Sequence, residues 1–232
     1  MKKTKIALTL VCAILLVAAS VMGTLAYLTA TTDTVTNTFT VGKVSFVAGA
    51  GLDEAKVNTD GELLDTTDKV YTNAEGQTLA KRVTSNTYKL VPGHEYVKDP
   101  TVHMGTDSED CYLFVKVVNP ISDIEDSTNT LASQMIDKGW KAVGNNYDNI
   151  YVYVGTTSGA TTPAPVSKGT DIVVFEKFKI ASNADVSGYA NTKIEVIAYA
   201  VQADGFEDKT AVQILDAAFP SLKTPVDPEP AE

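Results

Sequence analysis

Few residues in this chain are of a type that does covalent or metal chemistry, and their spacing is the first thing to read. There are two histidines, His94 and His103. His94-Glu95-Tyr96-Val97-Lys98 begins like the zinc-binding helix motif of metalloproteases, but Lys98 stands where the second histidine is needed. Two imidazoles four residues apart on one helical face make that site, and Pro92-Gly93 just upstream opposes a helix. The stretch is read as a chance similarity, and both histidines as surface residues. Cys111 would be a nucleophile only beside a base in a polarising setting. It opens the most apolar run of the chain, so a packed thiol is the plainer reading. Asp107, Glu109 and Asp110, and then Asp123, Glu125 and Asp126, flank that run and would suit calcium at loop ends, without the EF-hand spacing. A solvated acidic surface is the alternative. Glycine-rich phosphate loops and Gly-x-Ser-x-Gly are absent from the sequence. No catalytic residue, metal ligand or cofactor is therefore assigned, calcium being the one ligand left open, and an enzyme is not expected.

The elements that would position such residues begin with a leader. Met1 to Lys5 is basic and Ile6 to Gly23 carries no charge, followed by the small-residue exit Thr24-Leu25-Ala26. These are the three parts of a secretory signal. Cleavage after Ala26 leaves Tyr27 as the new N-terminus, with Val17-Ala18-Ala19 as a second exit. Helical, the apolar run would reach about 27 Å, so an uncleaved anchor is the structural alternative. Cys12 follows Val11 rather than a small residue, which argues against a lipoprotein. Loss of the leader removes Lys2, Lys3 and Lys5. It leaves 16 basic residues of the original 19 against 29 acidic ones, a net −13. That balance excludes nucleic acid and anionic membrane as partners of the processed chain, because both demand positive charge at the contact. The membrane is then met only by the precursor. One cysteine remains after processing, so no internal disulfide is expected.

The processed part reads as mainly β. Val35, Asn37, Phe39 and Val41 alternate with threonines, the period-two pattern of a half-buried strand, and Val44 with Phe46 suggest a second. Gly49 to Gln77 is polar and acidic and reads as a long loop or an irregular hairpin, with one short strand near Val70 and Tyr71. Leu90-Val91-Pro92-Gly93 is a turn signal. Cys111 to Asn119 reads as a central strand covered on both faces. Further strands are expected over Asn149 to Val154, Ile172 to Ile180 and Lys193 to Val201. Leu131 to Trp140 and Asp208 to Phe219 read as short helices, the second capped by Asp208 with Val212, Leu215 and Phe219 inward. Seven or eight strands with two short helices predict a jelly-roll-like two-sheet sandwich over residues 27–223. The acidic, Pro-rich tail 224–232 is expected to be disordered.

Gly23-Thr24-Leu25-Ala26-Tyr27-Leu28-Thr29, followed by Asn37-Thr38-Phe39-Thr40-Val41-Gly42-Lys43-Val44, resembles the processing region of the TasA/camelysin family. Leu90-Val91-Pro92-Gly93 with Lys98-Asp99-Pro100 and Tyr112 to Val117 resembles its turn and following strand. Ala198-Tyr199-Ala200-Val201-Gln202-Ala203-Asp204-Gly205-Phe206 resembles its late strand and exit turn. The resemblance implies a jelly-roll sandwich, processing by a SipW-type signal peptidase, and secretion to the extracellular matrix or cell surface. It also implies homo-polymerisation into biofilm-matrix fibres by donor-strand exchange. The donor would be Tyr27 to about Thr36, including Leu28, Thr29, Ala30 and Val35. Thr24 three residues before the cut, the long Gly49 to Gln77 stretch and the acidic tail depart from the family's pattern. A monomeric surface-binding module is the alternative function, and a metalloprotease of the camelysin type, poorly supplied with ligands here, the third.

Overall fold

The computed structural model describes residues 43–64, 71–72, 78–79, 82–144 and 146–224. The first part of this chain forms β1 (Leu52–Ala55), β2 (Tyr71–Thr72), β3 (Thr78–Leu79), β4 (Arg82–Val83), β5 (Glu95–Val97), β6 (Thr101–His103) and β7 (Cys111–Val118). Helix α1 (Leu131–Asp137) follows. After it come β8 (Trp140–Gly144), β9 (Tyr147–Tyr153), β10 (Pro165–Val166), β11 (Asp171–Val173), β12 (Lys177–Lys179), β13 (Glu195–Gln202) and helix α2 (Ala211–Ala218). The protein is mainly β, a jelly-roll-like two-sheet sandwich with two short α-helices. The leader, Ala26, Tyr27, Leu28, Thr29, Ala30, Val35, Val70 and the tail beyond Thr224 lie outside the described residues.

β7 is the centre, as its run of β-branched and aromatic residues dictates. Its odd residues Cys111, Leu113, Val115 and Val117 enter the larger core with Val102, Ile172 and Phe178 from across the sandwich. Its even residues Tyr112 and Phe114 enter a second core with Ile150, Val152 and the α2 residues Ile214 and Leu215. One edge of β7 bonds β13 along its whole length, and the other bonds β9 and then β10. β8 closes the far side of β9. The facing sheet has the order β11-β6-β1-β4, and β5 pairs with β12 beside it. Trp140 at the start of β8 ties the layers together, its indole N–H donating to the Val173 carbonyl at 2.9 Å.

Three expectations are corrected here. Gly49 to Gln77 holds more than the one short strand expected near Val70 and Tyr71: besides β2 at Tyr71–Thr72 it contains β1, three of whose four residues are buried. The expected strand over Ile172 to Ile180 is two strands in different sheets, β11 and β12. Val174 and Phe175 between them are both buried, which no single flat strand against one core face allows. At this corner the side-chain oxygen of Gln134 on α1 accepts the Glu176 and Lys177 amides at 3.1 and 3.2 Å, and its NH2 donates to the Lys177 carbonyl at 2.7 Å. The last helix begins two residues later than Asp208 suggests. Thr210 caps it, and Gln213 reciprocates by accepting the Thr210 amide at 2.9 Å.

Other signals are realised closely. Val91-Pro92-Gly93-His94 closes a turn by His94 N–H to Val91 C=O at 3.1 Å, with Gly93 at φ +78° as a type II turn requires. Helix α1 ends at Asp137, short of the expected Trp140, which opens β8 instead: at Gly139 φ is +87° and a Cβ would lie 2.6 Å from the Gly155 carbonyl oxygen. Thr224, expected to open the tail, donates its amide to Asn146 C=O at 2.6 Å.

Gln134→Leu keeps the volume of that side chain but leaves the Glu176 and Lys177 amides without their acceptor. A loss of about 1–3 kcal/mol for each amide so stranded is expected in urea unfolding. A variant as stable as the parent would show that α1 does not hold the corner.

Candidate functional site

The residues singled out for chemistry are separated by the fold. His94 donates through Nε2 to the Asp60 carbonyl at 2.7 Å and packs edge-on to Tyr96. His103 is 3% exposed, not the surface residue expected, and sits between two carboxylates. Its Nδ1 is 2.6 Å from Asp171 Oδ1 and its Nε2 is 2.9 Å from Asp53 Oδ1. Cys111 is buried, and burial first, then Asp110, pushes its thiol up to about 11. It is a packed, protonated thiol.

The acids that would have suited calcium are dispersed among local partners. Asp107 pairs with Lys43 and accepts from Ser45 Oγ at 2.7 Å. Asp126 pairs with Lys179 at 2.8 Å, and Asp123 accepts from the Tyr189 hydroxyl at 2.6 Å. Among the described residues no three His, Cys, Asp or Glu side chains converge to hold a metal ion.

What sequence reasoning missed is an ionic junction in the sheet of β1, β4, β6 and β11. Arg82 on β4 pairs with Asp53 on β1 and with Asp99 at 2.9 Å. Its Nη2 also donates to the Asp53 and Asp99 carbonyls, both at 3.0 Å, and to Thr101 Oγ1 at 2.9 Å. Glu54, next along β1, pairs with the buried Lys98 and accepts from Asn86 at 2.9 Å. Burial alone would lower the His103 pKa, but its hydrogen bonds to Asp53 and Asp171 outweigh that and raise it. Burial alone would raise Asp53, and His103 and Arg82 reverse that shift. Each carboxylate here is already engaged, and the junction joins the strands β1, β4, β6 and β11. Only the late pairing of Lys98 and Arg82 with acids some 30 to 45 positions earlier makes β1 buriable, as the separations of 29 and 44 residues show. No local pattern carries that signal.

The feature able to recognise another chain is the outer edge of β13. Ala203 N–H donates to Asp110 C=O at 2.8 Å, in line with the register that pairs Gln202 with Cys111 and Glu195 with Val118. Antiparallel ladders alternate, so odd residues of β13 bond β7 and the even ones turn N–H and C=O outward. Those are Val196, Ala198, Ala200 and Gln202, and among the described residues no strand pairs with them. The side chains of Val196, Ala198 and Ala200 pack on the larger core yet stay half-exposed, and Ile197 on the opposite face is 47% exposed. Between Val196 and Val201 there is neither a charge nor a proline. The other edges are blunted. β8 carries Lys141 and a bulge between Ala142 and Gly144, and β11 and β4 are three and two residues long. A long, flat, apolar edge is the usual template for strand addition.

No protein-family model, no curated protein and no solved structure matches this chain.

The His103 shift has a sign that can be measured. Because its folded pKa lies above the ordinary 6.5, its contribution to stability is complete below that value and is lost as pH rises through the folded pKa. The stability advantage of the parent over His103→Gln in denaturant titrations is therefore expected to shrink from mildly acidic to alkaline pH. An advantage independent of pH would mean that His103 is neutral in the junction. Arg82→Met, which removes the cation shared by Asp53 and Asp99 and leaves Asp53 to His103 alone, is expected to lose about 3–5 kcal/mol in the same titrations.

Proposed function

We propose that this chain is a secreted structural subunit of the extracellular or biofilm matrix that self-assembles into fibres by strand addition. In this reading the segment from Tyr27 to about Thr36 of one copy, freed when the leader is cut after Ala26, lies along β13 of the next. The single observation that carries it is the outer edge of the eight-residue β13, with which no strand pairs among the described residues and whose core-facing residues remain half-exposed. Four residues there offer outward N–H and C=O groups, each bond contributing about 1 kcal/mol once made. Ala198 and Ala200 are small and leave room over the core for larger donor side chains such as Leu28 and Val35. The donor segment has no proline, carries strand-forming residues, and continues into the Thr34 to Val41 alternation.

The residues shared with the TasA/camelysin pattern support the same reading. Ala198 to Phe206, one part of that pattern, contains the C-terminal five residues of β13 and the turn that follows it. The reading assigns the chain no catalysis and no cofactor. Processing by a SipW-type peptidase supplies the timing, because the donor cannot leave while the leader holds it at the membrane.

Two comparisons test this proposal. Protein beginning at Tyr27 is expected to form filaments by light scattering and negative-stain microscopy, and protein beginning near Val41 to stay monomeric. Ala198→Pro removes an outward N–H and no ladder bond to β7, so it should leave the domain folded and stop polymerisation. Ile197→Pro, which removes a bond to β7, should destabilise the domain itself. Monomers from the Tyr27 protein, or filaments undiminished by Ala198→Pro, would sink the proposal.

A further inference from the structure

A second feature lies on the same sheet and does not rest on the strand-addition reading. Where β7 ends, α1 begins and β9 emerges from its hairpin, the surface encloses a cleft of about 280 Å³. Val117, Leu131 and Met135 give it an apolar floor, Tyr151 one wall, and Asn119, Asn149 and Glu125 its polar rim. The volume suits one sugar ring, just under the range of drug-sized pockets. An apolar floor, an aromatic ring and convergent amides are the chemistry that holds a ring with one flat face and hydroxyls at its edge.

Two details of the rim bear on the ligand. Asn149 has φ +61° inside β9, where the register with β8 slips between the pairs Gly144–Tyr147 and Ala142–Tyr151. Asparagine is among the few side chains that tolerate this conformation, and the bulge turns position 149 to the cleft. Glu125 is half-buried, accepts the Leu131 amide at 3.3 Å, and has Asn119 beside it. The other acids drawn out of solvent, Asp53, Glu54, Asp99 and Asp126, each have a lysine or arginine partner. Among the described residues Glu125 forms no ion pair, and burial raises its pKa against those two neutral donors. A carboxyl so placed gains most from a cation delivered by a ligand.

We propose that this cleft is a binding site for an amino sugar with a free amine, its ammonium against Glu125, its hydroxyls on Asn119 and Asn149, and its ring over Leu131 and Tyr151. Ligand-observed saturation-transfer NMR on the full chain, with glucosamine, N-acetylglucosamine and glucose as probes, tests it. Glucosamine is expected to bind about tenfold more tightly than the other two, as befits one charge-assisted hydrogen bond. Glu125→Gln should abolish that preference, and Glu109→Gln, at an exposed acid outside the cleft, should leave it. Asn149→Gly keeps the left-handed backbone and should weaken glucosamine binding without changing the melting temperature, which keeps the test decisive even if Glu125→Gln alters folding. Equal signals from all three sugars, no signal at all, binding unchanged in both cleft variants, or full competition by methylamine at the same concentration would overturn the assignment.

Discussion

An eight-residue strand buried on both faces imposes most of this architecture. The backbone of β7 needs partners on both edges and its side chains need cover on both sides, since amides unpaired away from water and Phe114 and Leu113 left in water both cost free energy. The facing sheet covers one side and α2 the other. β9 and β10 share one edge, and β13 takes the whole of the other. Satisfying β7 in this way moves the unsatisfied edge outward by one strand. β13 inherits it, half-covered on both faces and apolar along its length. Among the described residues the sheet is complete around its central strand and has no further partner beyond β13.

The facing sheet solves its problem differently. Its strands are short, and the residues it buries include Asp53, Glu54, Thr101 and His103 as well as Val102 and Ile172. Ion pairs and hydrogen bonds take the place of apolar packing, with Arg82 reaching two acids, two carbonyls and a hydroxyl from one guanidinium. A planar fork of donors suits such a junction better than an ammonium would. Buried networks of this sort contribute modest net stability, yet the partners are strongly interdependent, so they pin register where β-branched pairs are few. The Asp171 carboxylate is 43% exposed, which leaves one end of the network in contact with solvent.

The β13 edge and the cleft sit on one sheet for different reasons. Among the described residues main-chain pairing stops at β13. The cleft exists because the slipped register at the start of β9 and the arrival of α1 leave a gap over Val117 and Tyr151. One would recognise backbone and the other side chains, and the two meet where Val117 of the cleft floor pairs with Val196 of β13.

Period and composition were enough to determine the fold class, the central strand, both helices and the Pro92-Gly93 turn, because each is dictated by contacts within a few residues. The Thr210–Gln213 capping box was also legible locally, although the nearby Asp208 drew the expected cap two residues early. Tertiary structure alone decided the rest. β1 reads as an acidic loop until Arg82, Lys98 and His103 are brought beside Asp53 and Glu54. The run from Ile172 to Ile180 reads as one strand until Gln134 collects the amides at its corner. His103 reads as a surface residue until two carboxylates close on it. Ala198 to Val201 reads as an ordinary strand, and only the sheet order makes it an edge. A local pattern can say that a residue wants to be buried or paired. It cannot say which distant residue will answer, and in this protein the buried charges and the open edge both depend on that answer.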